Sequence, residues 1–281
     1  MSLTDTERAA IDAANATGRR PVMFIHGLWL LASSWDHWAA LFEEAGYAPV
    51  APGWPDDPET VEEARKDPTV FAGKSVGQIS DHYSEAAQAL NQKPVVIGHS
   101  FGGLLTEIVA GRGHAAASVP ISPAPARGVL PLPLAQLRSS FPVLGNPLNF
   151  GRAVTLTKGQ FRYGFGNAVS EEESDALYEE YHVAGPGKVI FQAATGNLNP
   201  FTETKADATN PDRGPMLVIG AKLDHTVPAV VSKASFTREK KNQAVTEYHE
   251  FEDRGHSLTI DARWREVADV ALSFVTKVAP A

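Results

Sequence analysis

The chain has no cysteine among its 281 residues. That removes disulfides, thiolate nucleophiles and cysteine-held zinc together, and it fits a cytoplasmic protein. No apolar run approaches the roughly eighteen residues that a membrane span requires. The first residues, Met1-Ser2-Leu3-Thr4-Asp5-Thr6-Glu7-Arg8, are polar and lack the basic-then-apolar order of a signal peptide. Positive charge is scarce as well. Lys and Arg number 25 against 33 Asp and Glu, for a net charge of -8. No Lys/Arg cluster reverses that balance, so neither nucleic acid nor an anionic membrane is the expected partner. His-Glu-x-x-His, paired-His and calcium-loop spacings are missing, so no metal or other cofactor is expected.

What remains is an ordinary globular composition, 43% apolar and 21% charged. The length suits one large α/β domain or a domain with an insertion. The most informative stretch is Gly98-His99-Ser100-Phe101-Gly102, which reads G-x-S-x-G and is followed at once by Gly103. Before it lies Lys93-Pro94-Val95-Val96-Ile97, whose β-branched apolar run predicts a buried strand. After it, Leu104 to Ala110 predicts a helix. A serine on so sharp a turn needs neighbours without bulk, and positions 98 and 102 supply them. The helix that follows points its N-terminus at the serine, which favours developing negative charge there.

Other elements fall in order around this turn. Arg20 to Gly27 predicts a strand ending in His-Gly. Ser34 to Gly46 predicts an amphipathic helix with Ser34 as its cap, and Ala48 to Ala51 a short strand. The loop from Pro52 to Pro58 and the acidic stretch from Glu59 to Lys66 carry several carboxylates, read here as a solvated face. Ser75-Val76-Gly77-Gln78 has capping-box spacing and opens a helix to about Asn91, in which His82 is structural. Ala117 to Ser122 is the next strand. Prolines and glycines then break the pattern, with helices expected over 170–182 and 186–195. Regular alternation resumes at Gly214 to Gly220, continues with a strand over 245–251 and closes with a helix over 261–277. Residues 1–126 and 214–281 therefore read as one α/β core, and 127–213 as a mostly helical insertion.

The strand–turn–helix setting of Ser100 resembles the nucleophile elbow of the α/β-hydrolases, and within them the capped serine esterases. The resemblance implies a mostly parallel central sheet flanked by helices, with residues 127–213 as a cap or lid. It implies a triad in the chain order Ser100, Asp224, His256. Asp224 lies just past the strand at 216–220 and precedes a Val-Pro pair; His256 follows a glycine after the last strand. The alternative acid position, Ser122 to Ala126, holds no acid. By the same resemblance the backbone N–H groups of Leu28 and Phe101 form an oxyanion hole, and His26 orients the loop that carries Leu28. Trp29 and His99 are the candidate pocket residues, with His99 on the structural side of the elbow. Haloalkane dehalogenases and soluble epoxide hydrolases share the fold but place an aspartate at the elbow, where this chain has Ser100. One departure is the stretch 52–75, which is longer and richer in proline and acid than in a compact esterase. The expected activity is cofactor-free hydrolysis of a small, apolar carboxylic ester through an acyl-enzyme. The same triad acting on a lactone, a carbon–carbon bond or a perhydrolysis substrate, and a low-turnover ligand receptor on the same fold, stay open. The sequence is silent on oligomeric state.

Overall fold

The computed structural model describes residues 3–281. Helix α1 (Asp5–Ala16) starts at a reciprocal capping box between Thr4 and Glu7. Strand β1 (Pro21–Ile25), helix α2 (Asp36–Glu44) and strand β2 (Ala48–Val50) follow. Ser34 does not cap α2: it sits inside a 3-10 turn, Ala32–Trp35, where its hydroxyl donates to Leu31 O. Short α3 (Val61–Lys66) and α4 (Val76–Ala89) each open on a capping box, Thr60 with Glu63 and Ser75 with Gln78. Next come β3 (Val95–His99), α5 (Phe101–Gly111) and β4 (Ala117–Ile121).

The chain then leaves the main sheet. It forms α6 (Leu134–Leu144), β5 (Ala153–Val154), α7 (Lys158–Gly164), α8 (Glu171–Tyr181), β6 (Gly185–Pro186) and α9 (Gly187–Thr195). Strands β5 and β6 pair only with each other. The main sheet resumes with β7 (Met216–Ala221), α10 (Ala229–Glu239), β8 (Thr246–Phe251) and α11 (Trp264–Val278).

Six strands make the central sheet in the order β2-β1-β3-β4-β7-β8, and every neighbouring pair is parallel. Parallel strands need crossovers, and the helices that supply them cover both faces. That is why the strands read as unbroken apolar runs rather than alternating ones. Side chains still alternate between the two faces. Met23 and Ile25 join Val96, Met216 and Val218 in one core with Ile79, Tyr83 and Leu105. Val22 and Phe24 join Val95, Ile97, Val119 and Ile219 in the other, under Trp38, Phe42 and Phe274. The edge strand β8 is half-buried throughout, consistent with its polar sequence.

The strand order reverses direction between β1 and β3. In open parallel sheets a crevice forms at such a switch, outside the carboxyl ends of the strands. Here the ends in question are Gly27-Leu28, past β1, and Ser100, past β3.

Candidate active site

Backbone strain gathers at this edge. Trp29, Ser100 and Ser122 all hold a positive φ, at 68°, 58° and 40°, and all lie just past β1, β3 or β4. Such conformations cost on the order of 1–3 kcal/mol each and persist only when their surroundings enforce them. At Ser100 the enforcement is visible. Its N–H donates to Ile121 O, and its carbonyl accepts from the N–H groups of Gly103 and Ala124, each at 2.9 Å. A Cβ on residue 98 would lie 2.2 Å from Gly102 O, and one on residue 102 would lie 2.1 Å from Ile25 O. The turn therefore admits only glycine at both positions.

The strained turn brings Ser100 to His256. The Ser100 Oγ is 2.9 Å from His256 Nε2, and His256 Nδ1 is 2.6 Å from Asp224 Oδ2. A carboxylate only accepts, so Nδ1 carries the hydrogen and Nε2 is free to accept from the serine hydroxyl. The other Asp224 oxygen accepts from the N–H groups of Thr226 and Val227, each at 2.7 Å. The carboxylate is thus fixed from both sides. All three side chains are buried. The loops bearing the acid and the imidazole are tied together, because the Leu223 N–H donates to Arg254 O. Arg254 is itself buried and ion-paired with Asp261. The Ser257 N–H donates to Phe165 O, and the Phe165 ring meets the His256 ring edge-on at 4.7 Å. Neither Arg254 nor Phe165 carries a motif that sequence reading could use.

The His-Gly loop abuts the serine. A Cβ on Gly27 would lie 3.1 Å from Ser100 Cβ. The N–H groups of Leu28 and Phe101 have no acceptor among the described residues. Trp29 sits on the floor of the cavity beside Ser100, its indole N–H donating to Val154 O. His99 does not reach the cavity. It is buried behind the elbow with its ring 4.5 Å from that of His256, so its place among the pocket residues is corrected. His99 is the last residue of β3, whereas Ser100 sits on the strained turn beyond it, so the two side chains leave the chain in different directions. Burial, and next the charge of His256, hold the His99 imidazole well below the ordinary histidine range and therefore neutral.

The stretch 52–75 also needs correcting. Asp57 is not on a solvated face. Its side chain is 4% exposed and lies 3.1 Å from the equally buried Lys74 ammonium. Its second oxygen accepts from the Trp54 N–H and lies 3.1 Å from His26 Nε2. His26 stacks on Trp54, and its Nδ1 is 2.9 Å from Gly27 O. A buried ion pair therefore stands directly behind the His-Gly loop. His225 packs against the 127–213 segment and His182 lies within it: His225 Nδ1 is 3.0 Å from Tyr163 O, and His182 Nε2 accepts from the Leu156 N–H. Among the described residues no three His, Asp or Glu side chains converge in a metal-binding group.

Ser100 opens into a cavity of about 960 Å³ including its mouth. Its walls are largely apolar, from Ala124 and Val227 on the sheet side to Leu144 and Ile190 on α6 and α9. A serine, an imidazole and a carboxylate in this relation can move a proton from the hydroxyl to Nε2 while the carboxylate steadies the imidazolium.

Residues 22–270 match the model of the Alpha/beta hydrolase family. No curated protein matches the sequence. Several solved structures are similar in fold. A monoacylglycerol lipase from Paleococcus ferrophilus superposes with a TM-score of 0.64 over 92% of this chain and 95% of its own, at 17% identity. A malate-bound thermophilic esterase from Thermogutta terrifontis gives 0.64 over 92% and 90%, at 15% identity. A methylesterase from Arabidopsis gives 0.62 over 92% and 99%, at 13% identity.

Proposed function

The chain belongs to the alpha/beta hydrolase family, and from that premise we propose that it is a serine hydrolase of carboxylic esters with an apolar acyl or alkyl part. The observation that carries the reading is the hydrogen-bonded chain from Ser100 through His256 to Asp224, opening on an apolar cavity. The similar solved structures are named as lipases and esterases, which favours ester chemistry on this fold.

In this reading Ser100 Oγ attacks the ester carbonyl as His256 Nε2 takes its proton. The carbonyl oxygen, now an oxyanion, accepts from the N–H groups of Leu28 and Phe101, worth about 3 kcal/mol per donor. Collapse expels the alcohol, which leaves with the proton from His256, and an acyl-Ser100 ester remains. Water then gives a proton to His256 and attacks the acyl carbon. The acid departs, and Ser100 recovers its hydroxyl hydrogen. Residues 127–213 act as a cap whose helices α6 and α9 set the length and shape of the acyl space.

The test is hydrolysis of p-nitrophenyl esters from acetate to long acyl chains, by wild type and Ser100→Ala. Serine-dependent release is expected, with turnover falling on the order of a million-fold in the variant. Undiminished release by Ser100→Ala sinks the proposal. A fluorophosphonate provides a second readout, since it should add to Ser100 and to no other serine.

A further inference from the structure

The exposed apolar side chains of this protein are gathered in one region. Of twelve large apolar residues exposed among the described residues, nine lie between positions 130 and 201. Leu130 and Leu132 line the mouth of the cavity and are themselves 75% and 63% exposed. Phe141 extends the surface along α6. Leu198 and Phe201, 86% and 91% exposed, stand on the loop after α9. That loop is stitched to the mouth: the Gly128 N–H donates to Asn197 Oδ1, and Asn197 Nδ2 donates to Val129 O. Soluble proteins rarely leave so much apolar surface together unless something covers it.

Charge identifies the cover. Residues 127–169 and 187–202 contain no Asp or Glu, although the chain has 33 of them. At average density those two segments would hold about seven. They do contain cations. Lys158 and Arg162 pair with acids on α8. Arg127, Arg138, Arg152 and Lys188 have no carboxylate within ion-pair distance among the described residues. The two segments thus carry a formal charge of +6, and the rest of the molecule -14, which together give the net -8. The two segments around the mouth are apolar and basic and hold no acid; the next carboxylate in sequence, Glu203, is turned to the start of α4, where it accepts from the Gly77 N–H. No run of basic residues marks this face in the sequence, because the fold collects it from separate segments.

We infer that this face docks on the surface of an anionic phospholipid bilayer, with the apolar rim entering the headgroup region and Arg127, Arg138 and Arg152 meeting lipid phosphates. Apolar insertion combined with basic attraction is the physical pattern of interfacial binding. It would place the cavity mouth against the membrane, where an ester with a long acyl chain could enter without crossing water. The docking itself needs no turnover, so it fails or holds independently of the ester reading.

The experiment is co-sedimentation of the whole protein with vesicles of equimolar phosphatidylcholine and phosphatidylglycerol. Binding is expected, weakening at high salt and falling sharply on vesicles of phosphatidylcholine alone. Arg138→Glu and Arg152→Glu should each lower the affinity by about five-fold or more. Leu198→Ser with Phe201→Ser should abolish binding while leaving release from p-nitrophenyl acetate at the wild-type rate. Thermal melting of each variant separates lost docking from lost folding. No binding to the anionic vesicles overturns the inference. So does equal binding to both vesicle types, or a concentration-dependent dimer that the Leu198 and Phe201 changes abolish.

Discussion

The imidazole of His99 lies behind that of His256, tilted by 43° with 4.5 Å between ring centres, and has no hydrogen-bond partner for either nitrogen among the described residues. A neutral, unpartnered ring in this position fills volume and supports the imidazole in front of it. His99→Leu should therefore lower stability by about 1–3 kcal/mol through imperfect filling. It should leave KM unchanged for short and long esters alike. Urea unfolding and steady-state kinetics read the two effects separately. A KM change that depends on acyl length, with stability intact, would return His99 to the pocket.

Asp224 yields a sharper expectation because both of its oxygens are committed. In Asp224→Asn the two backbone N–H groups of Thr226 and Val227 will still demand an acceptor, so the amide oxygen takes that place. The amide nitrogen then faces His256 Nδ1 as a donor. The imidazole must answer with its other tautomer, whose Nε2 carries a hydrogen and cannot accept one from Ser100. Turnover should fall by about 10⁴ with the fold unchanged, as in other triads treated this way. A drop of ten-fold or less, in a variant with a wild-type melting temperature, would mean that Asp224 does not set the tautomer.

How much of this was legible beforehand differs from place to place. The parallel strands were visible because burial on both faces makes Val95 to Ile97 and Met216 to Ile219 continuous apolar runs. The elbow was visible because its steric demand on positions 98 and 102 leaves glycine as the only answer. Ser100, Asp224 and His256 could be singled out because a hydrolase sheet fixes the strand ends they follow. Arg254, Phe165 and the Asp57–Lys74 pair could not. Their positions depend on which loop crosses which, and a carboxylate in a Pro-Asp-Asp-Pro turn reads the same whether it faces water or a buried ammonium. His99 is a different case: it adjoins Ser100 in sequence, yet at the end of β3 it packs behind His256 and not into the cavity.

The Asp57–Lys74 pair makes its own prediction. Lys74→Met leaves the Asp57 carboxylate buried without a counter-charge, which should cost about 3–5 kcal/mol. Asp57→Asn combined with Lys74→Met removes both charges and should recover much of that loss. A double-mutant cycle from urea unfolding measures the coupling, and simple additivity would show the pair to be independent. Because His26 rests on Asp57 and holds the Leu28 loop, kcat should fall more than KM rises in any variant that still folds.

His182 links the 127–213 segment to pH. Burial, and next the nearby Arg65 guanidinium, push its pKa down to about 3. The unfolded chain has an ordinary histidine at about 6.5. Below pH 6.5 the unfolded state therefore takes up a proton that the folded state refuses, and stability falls as the pH drops toward 3. At pH 5 this single group should account for about 2 kcal/mol of lost stability. Glu107 acts in the opposite sense. Burial raises its carboxyl to about 8, so its penalty grows as pH rises from 4.5 toward 8. Comparison with His182→Gln isolates the histidine, since glutamine still offers the Leu156 N–H an acceptor but does not titrate. Urea unfolding of both proteins at pH 7 and pH 5 should show wild type losing about 2 kcal/mol more than the variant. Equal losses would mean that His182 accepts its proton within the fold, which the surrounding rings of Phe161 and Tyr178 leave it little room to do.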